Sequence, residues 1–370
     1  MKFEVNREEL NGVLGLVSKI AAVRSPQPSI QGVKFAVSGD RMVAMATDLY
    51  LSIRVHLDLE MCSGEEEFLL LPERLSQVLR EVDDEKVTFV TDEVNVMLEC
   101  KTGTFRFRRL GTEDFPEFPA FKDGSDVKLK TGPFTDLLDR TVYCAGRDKG
   151  RYAINGVYVK AEDGKAELVA TDGRRLAVCN STFEGIPEVS GIILPLKLVQ
   201  VLHTELHKMD RDSDLEFNTD GSRVVFRFGD VHLSGSLVEG EYPRYNAVIP
   251  KALDKNAKVD REECIRICRI ASIFTDTTKR SSRFTFSSGK LEISSELQEQ
   301  GESNLEMEIE YDGEKTRLGF NPVYVIEYLK SVDAEKVNIA FSSSERAVLI
   351  THDDDEYNYR FALMPMKVND

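Results

Sequence analysis

The sequence predicts an α+β protein of three similar domains, each with two helices packed on antiparallel sheet. Three observations carry that expectation. A helix-opening dipeptide recurs as Leu71-Pro72, Leu194-Pro195 and Asn321-Pro322, the prolines standing 123 and 127 residues apart. The tripeptide Ala46–Asp48 returns as Ala170–Asp172, 124 residues on. An aromatic–proline corner, Phe115-Pro116, returns as Tyr242-Pro243 after 127 residues. Such a period is far longer than the roughly 20–50 residues of solenoid units, which cannot fold alone. The 370 residues therefore divide into domains 1–122, 123–250 and 251–370, meeting at the turn-rich Asp123–Asp126 and Pro250–Ala252.

Each domain reads as helix, strands, helix, strands. The first helix of domain one shows Leu10, Val13, Leu14 and Val17 at helical spacing. Its counterpart in domain two has Pro133 in the first turn and the stripe Leu137, Leu138, Val142. In domain three Asp260 is the expected N-cap, followed by Cys264, Ile267, Cys268 and Ala271. The second helices are marked by the recurring prolines. Counting on from each proline, one apolar face repeats in register as Leu75/Val78/Leu79, Leu198/Val201/Leu202 and Val325/Tyr328/Leu329. Such a face must pack on something. The alternating segments VTFV, VNVMLEC, FRFRRL, VVFRFG, VHLSGSL, VNIAF, AVLITH and YRFALM supply it as strands between Asp- and Gly-containing turns.

Bulk properties narrow the class. No segment approaches the ~18–20 uninterrupted apolar residues of a membrane helix. The start MKFEVNREEL has no apolar signal core, and the six cysteines show no framework spacing. A cytoplasmic location with reduced thiols and no membrane contact is the expectation. A formal net charge of −16 argues against attraction of nucleic acid to the whole surface, but a local basic surface is compatible with it.

Candidate catalysts fail one by one. His203 and His207 stand four apart on a helix, but the metalloprotease pattern places Glu directly after the first His, and no third ligand is evident. Cys264 and Cys268 read as small core residues. Ser287–Lys290 lacks the upstream glycine of a phosphate loop, and Asp353–Glu356 reads as a solvated hairpin tip. A nuclease using Mg²⁺ would need a compact carboxylate constellation, which is not present. No enzyme, cofactor or metal is expected.

Basic residues are better placed. Lys19 and Arg24 follow the first helix of domain one; Arg147, Lys149 and Arg151 stand correspondingly in domain two, and Lys279, Arg280 and Arg283 in domain three. On the second helices the eighth residue past the proline is Arg80, His203 or Lys330, and the second is Arg74, Lys197 or Tyr324. Cations at helix C-termini complement the dipole and account for some of these. Recurrence in an acidic chain predicts one positive surface, touching phosphates without reading sequence. A plain scaffold would not need it. The terminal Met364-Pro365-Met366 adds an adaptable hydrophobic tip, since proline blocks ladder pairing.

The MKF start, ATDGRRLAV at Ala170–Val178, the EYPRY…IP segment at Glu241–Pro250 and the LMPMK end resemble the bacterial sliding clamp family, the beta subunit of DNA polymerase III, over essentially the whole chain. That resemblance implies a ring-shaped head-to-tail homodimer with helices lining a central hole. Twelve helices spaced ~8–10 Å apart leave a hole on the order of 20–28 Å, enough for a duplex with some water. The DNA-facing residues would be Lys19, Arg24, Arg80, Arg147, Lys149, Arg151, Lys197, His203, Lys279, Arg280 and Lys330. It also implies a pocket for short peptides of the replicative polymerase, clamp loader and repair proteins. Its residues would be Ile154, Thr171, Gly173, Arg174, Arg175, Leu176, Pro243, Val248, Met364, Pro365 and Met366. Arg174 stands where many relatives have His, and Ala247 where an Arg is common, which alters the pocket rim but not its apolar floor. Ring closure would use Phe105 and Phe107 on one strand face against Ile273 and Phe274 of the other subunit.

Overall fold

The fold is that of a computed structural model, described over residues 1–119, 127–147, 152–183, 186, 188–276, 280–353 and 356–367. Its described α-helices are α1 (Arg7–Val17), α2 (Pro72–Glu81), α3 (Thr131–Asp139), α4 (Leu196–Leu206), α5 (Arg261–Ile273) and α6 (Pro322–Lys330). The chain forms two compact units, residues 1–131 with 208–237, and residues 132–207 with 238–370. The middle repeat is thus shared between them.

In the first unit, strands Met61–Ser63, Lys2–Asn6, Lys86–Thr91, Asn95–Cys100 and Gly103–Arg108 form an antiparallel sheet in that order. A second sheet joins Val127–Lys130, Asp214–Thr219, Arg223–Phe228 and Val231–Ser236 to four strands of the first repeat. The join is the pairing of Val231–Ser236 with Leu51–Asp58, with Leu233 opposite Ile53. Both of those side chains are fully buried. Asn6 caps α1: its side chain accepts from the backbone N–H of Glu8 and Glu9 at 2.9 and 3.2 Å. Its Leu10, Leu14 and Val17 are buried, with α2 contributing Leu75 and Leu79. Each such side chain contributes roughly 1.5–3 kcal/mol by leaving water. Phe3 and Phe89 stack at 5.0 Å, and Phe35 and Phe68 at 5.1 Å.

The second unit repeats the scheme. Asp260 caps α5 by accepting from Glu263 N–H at 2.8 Å, and Asn321 caps α6 by accepting from Val323 N–H at 3.0 Å. Val325, Tyr328 and Leu329 are buried, as are Cys264, Ile267, Cys268 and Ala271. α3 is shorter than its stripe suggested: it ends at Asp139, and Val142 opens a separate 3₁₀ turn. Buried Thr141 donates its hydroxyl to Leu137 C=O at 2.7 Å, a bond that competes with helix continuation.

The large sheet of this unit runs Val189–Pro195, Gly156–Glu162, Lys165–Thr171, Arg175–Thr182, Arg360–Leu363, Val348–Thr351, Lys336–Phe341, Lys255–Asp260. Its seam is the antiparallel pairing of Arg175–Thr182 from the second repeat with Arg360–Leu363 from the third, Leu176 opposite Ala362. A smaller sheet runs Gly301–Glu308, Lys290–Leu297, Ser282–Ser287, Thr316–Phe320.

Candidate functional site

The repeated Thr-Asp dipeptide builds a turn. Thr171 donates its hydroxyl to Arg175 C=O at 2.6 Å and accepts from Gly173 N–H at 3.0 Å. Asp172 Oδ1 accepts from the N–H groups of Arg174 and Arg175 at 2.9 and 3.0 Å. The chain can then reverse through Gly173 at φ +84°, where a side chain would be strained. Thr47 and Asp48 make the same bonds to Leu51 C=O, Leu49 N–H, Tyr50 N–H and Leu51 N–H. The marker that revealed the repeat is therefore a turn-forming device, and a cavity lies beside its second copy.

That cavity, of about 250 Å³, is lined by Ile154, Thr171, Gly173, Arg174, Arg175, Leu176, Pro243, Tyr245, Val248, Ala347, Ala362 and Met364. Beneath it lies a buried cluster of Val169, Leu176, Val178 and Ala362, against which Tyr158, Tyr242, Tyr245 and Ile249 pack. Tyr158 and Tyr242 stack at 5.0 Å. The Tyr242 hydroxyl donates to Val169 C=O at 3.3 Å, and that of Tyr245 donates to the Glu167 carboxylate. Burial, then the Glu167 charge, pushes the Tyr245 phenol up, so it stays a donor. With the Tyr242 and Tyr245 hydroxyls bonded within the protein, the basin presents mainly carbon to a ligand. Val248 and Met364 stand exposed at 48% and 40%, two apolar side chains the fold leaves open to a partner.

Nine of the eleven residues proposed from the sequence for this pocket line one cavity, drawn from segments as far apart as Ile154 and Met364. Pro365 and Met366 do not line it. Met364 N–H is bound to Arg174 C=O at 2.9 Å, and Met366 N–H to Gly319 C=O at 2.8 Å, which carries the tip away toward the smaller sheet. Tyr245, Ala347 and Ala362 were missed. Tyr245 lies within the EYPRY segment, and Ala362 was visible only through strand register. Arg175 has a second role. Its side chain is buried, with Nε 3.1 Å from Asp172 Oδ2, Nη2 donating to Tyr143 C=O at 2.6 Å, and Nη1 paired with Glu327. Its guanidinium also lies 4.1 Å from the Tyr324 ring centre.

The proposed DNA-facing cations fall into three groups. Lys19, Arg24, Arg80, Arg147, Lys197, Arg280 and Lys330 are exposed. Lys149, Arg151 and Lys279 lie outside the described residues. His203 differs from the simple solvated cation expected, because its Nε2 lies 2.6 Å from Asp139 Oδ1. Asp139, at the end of α3, is the partner that spacing along α4 could not reveal. Burial would raise the Asp139 pKa, but the hydrogen bonds from His203 and His207 outweigh it and hold the carboxyl below its ordinary value.

Phe105 and Phe107 are half-buried on Gly103–Arg108, the terminal strand of the first unit's smaller sheet. In the second unit Ile273 is 68% exposed at the end of α5, and the Phe274 ring lies beside Gly301 at the start of the terminal strand Gly301–Glu308.

Family models for the N-terminal, central and C-terminal domains of the DNA polymerase III beta subunit match residues 1–119, 128–244 and 246–367. The beta sliding clamp of Chlamydia muridarum is 27% identical over 373 residues, covering all of both chains. That of Pseudomonas aeruginosa is 26% identical over 371 residues, again over the whole of both. A crystal structure of a sliding clamp from Pseudomonas aeruginosa bound to griselimycin superposes with a TM-score of 0.91 at 25% identity, covering all of both chains. With three successive domain models spanning nearly its whole length, the chain belongs to the DNA polymerase III beta subunit family, the beta sliding clamps.

Proposed function

We propose that this chain acts as a DNA sliding clamp, a non-catalytic processivity factor that closes as a head-to-tail homodimer around duplex DNA. It tethers the replicative polymerase, the clamp loader and repair proteins through peptides seated on Val248, Leu176 and Met364. The observation that carries the peptide reading is the cavity itself: an apolar basin with its tyrosine hydroxyls already satisfied and two large side chains left exposed. A short peptide inserting one or two apolar anchors gains affinity there mainly by desolvation.

Two terminal strands support the closure reading. Gly103–Arg108 offers Phe105, Phe107, Arg106 and Arg108, while Gly301–Glu308 offers Glu302, Glu306 and Glu308. Opposite charges on two sheet edges favour their pairing across subunits over pairing of like with like. The cations at Lys19, Arg24, Arg80, Lys197 and Lys330 would then touch phosphates without reading bases, and so permit sliding.

The test is topological. Protein loaded on nicked circular DNA is expected to remain bound through gel filtration and to be lost once the circle is cut. Equal retention on circular and linear DNA refutes encirclement.

A further inference from the structure

α3 ends at Asp139, and the last turn of α4 with its cap carries His203 and His207. Asp139 Oδ1 lies 2.6 Å from His203 Nε2 and 2.9 Å from His207 Nε2, and the two imidazole nitrogens are 3.1 Å apart. Three donor atoms converge on one point. With the ring hydrogen of each imidazole on Nδ1, both Nε2 atoms and the Asp139 oxygen can turn lone pairs toward one shared cation. We infer that Asp139, His203 and His207 bind one divalent transition-metal ion of the zinc class, through a carboxylate oxygen and two Nε2 atoms.

The spacing suits such an ion. Bonds of about 2.0–2.1 Å in a tetrahedron set ligand atoms roughly 3.3–3.4 Å apart, so the three contacts need to open by about 0.2–0.8 Å. Two imidazoles with one carboxylate favour zinc, cobalt or nickel, and disfavour magnesium and calcium, which take oxygen ligands. Asp139 is also the last residue of α3, where the helix dipole is negative and a carboxylate is poorly placed without a cation. The side chains of Asp139, His203 and His207 are 33%, 26% and 51% exposed, which leaves the fourth coordination position open to water or to an external oxygen ligand. A bound divalent ion would add two positive charges beside the helix that also carries Lys197.

The full-length protein, stripped with chelator, is titrated with Co²⁺ in the absence of DNA. We expect the visible absorption of four-coordinate cobalt to saturate at one equivalent per chain and to bleach on adding Zn²⁺. Prior alkylation of the cysteines with N-ethylmaleimide leaves it unchanged. Asp139→Asn, and His203→Gln combined with His207→Gln, each weaken binding by more than the ~10–100-fold that loss of an outer partner causes. Circular dichroism without metal checks that these variants fold, and the near-isosteric Asp139→Asn keeps the test open if the double variant does not. No cobalt absorption, absorption abolished by alkylation, or undiminished binding in a folded variant overturns the assignment. Since no DNA is present, the outcome is separable from the ring reading.

Discussion

Arg174 and Arg175 are neighbours on one turn, yet the structure gives them opposite energetic roles, and replacing each in turn separates the two. Arg175→Met keeps most of the stem's volume but removes the guanidinium. Lost with it are the bond to Tyr143 C=O, the pairs with Asp172 and Glu327, and the stacking on Tyr324. Breaking a buried ion pair by removing one partner costs about 3–5 kcal/mol, because the other charge is stranded. Here the stranded Glu327 side chain is 36% exposed and recovers some hydration, whereas Asp172 at 19% recovers less. A loss of about 3 kcal/mol is therefore expected. At a slope near 3 kcal/mol per molar urea, the unfolding midpoint falls by roughly 1 M. Arg174→Ala, at an exposed position, should stay within ~0.5 kcal/mol of the parent and alter only peptide affinity. Because the chain has no tryptophan, circular dichroism and tyrosine fluorescence follow the transition. A midpoint shift below ~0.3 M for Arg175→Met, or an equal loss for Arg174→Ala, would refute the division of labour.

Removing Met364–Asp370 strips one exposed wall of the pocket and the bond from Met364 N–H to Arg174 C=O; peptide affinity should fall at least about tenfold while the dimer persists, as sedimentation would reveal. Phe107→Asp puts a charge on the terminal strand and should give monomers by light scattering; an unchanged dimer mass places the subunit contact elsewhere. Burial, with Arg54 and His56 nearby, lowers the His232 pKa from 6.5 to about 4. The unfolded chain therefore takes up that proton first, so the stability this residue provides is complete above pH ~6.5 and is lost as pH falls toward 4. Solvent screening trims the effect to roughly 2 kcal/mol, and His232→Gln should flatten the urea midpoint between those pH values. An identical slope in the two proteins would clear His232 of the effect. Reversing Lys19, Lys197 and Lys330 to Glu should shorten residence on circular DNA and lower its salt dependence; unchanged retention would remove these residues from the DNA face.

What could be read beforehand follows from which physics is local. Caps and apolar stripes act within a few residues, so the Asp260 cap and the Val325/Tyr328/Leu329 face were legible. The early end of α3 was not, because Thr141 chooses a hydroxyl bond to Leu137 C=O over continuation, and composition alone does not decide that contest. Nor were Asp139 beside His203 or Glu327 beside Arg175 legible. These partners stand 64 and 152 residues apart and meet only once helices have packed. The pocket's walls were reached through family resemblance rather than through periodicity. Ala347 and Ala362 escaped even that, since an alanine becomes a pocket wall only through register.

The charges on the two sheet edges give the proposed pairing of chains a physical ground. An unpaired strand edge is a template for aggregation, and proteins usually blunt it. Here the edge Gly103–Arg108 carries Arg106 and Arg108, and Gly301–Glu308 carries three glutamates, so each repels its own copy and attracts the other. Two different surfaces that attract make a head-to-tail interface, which propagates as a filament unless the rotation closes it. If closure occurs at two chains, each seam gains only a handful of backbone hydrogen bonds at about 0.5–1.5 kcal/mol apiece, plus its apolar contacts. One such seam can therefore open while the other holds. In the proposed ring, retention on DNA then depends first on both seams being shut at once, and only secondarily on attraction between phosphates and the proposed cations.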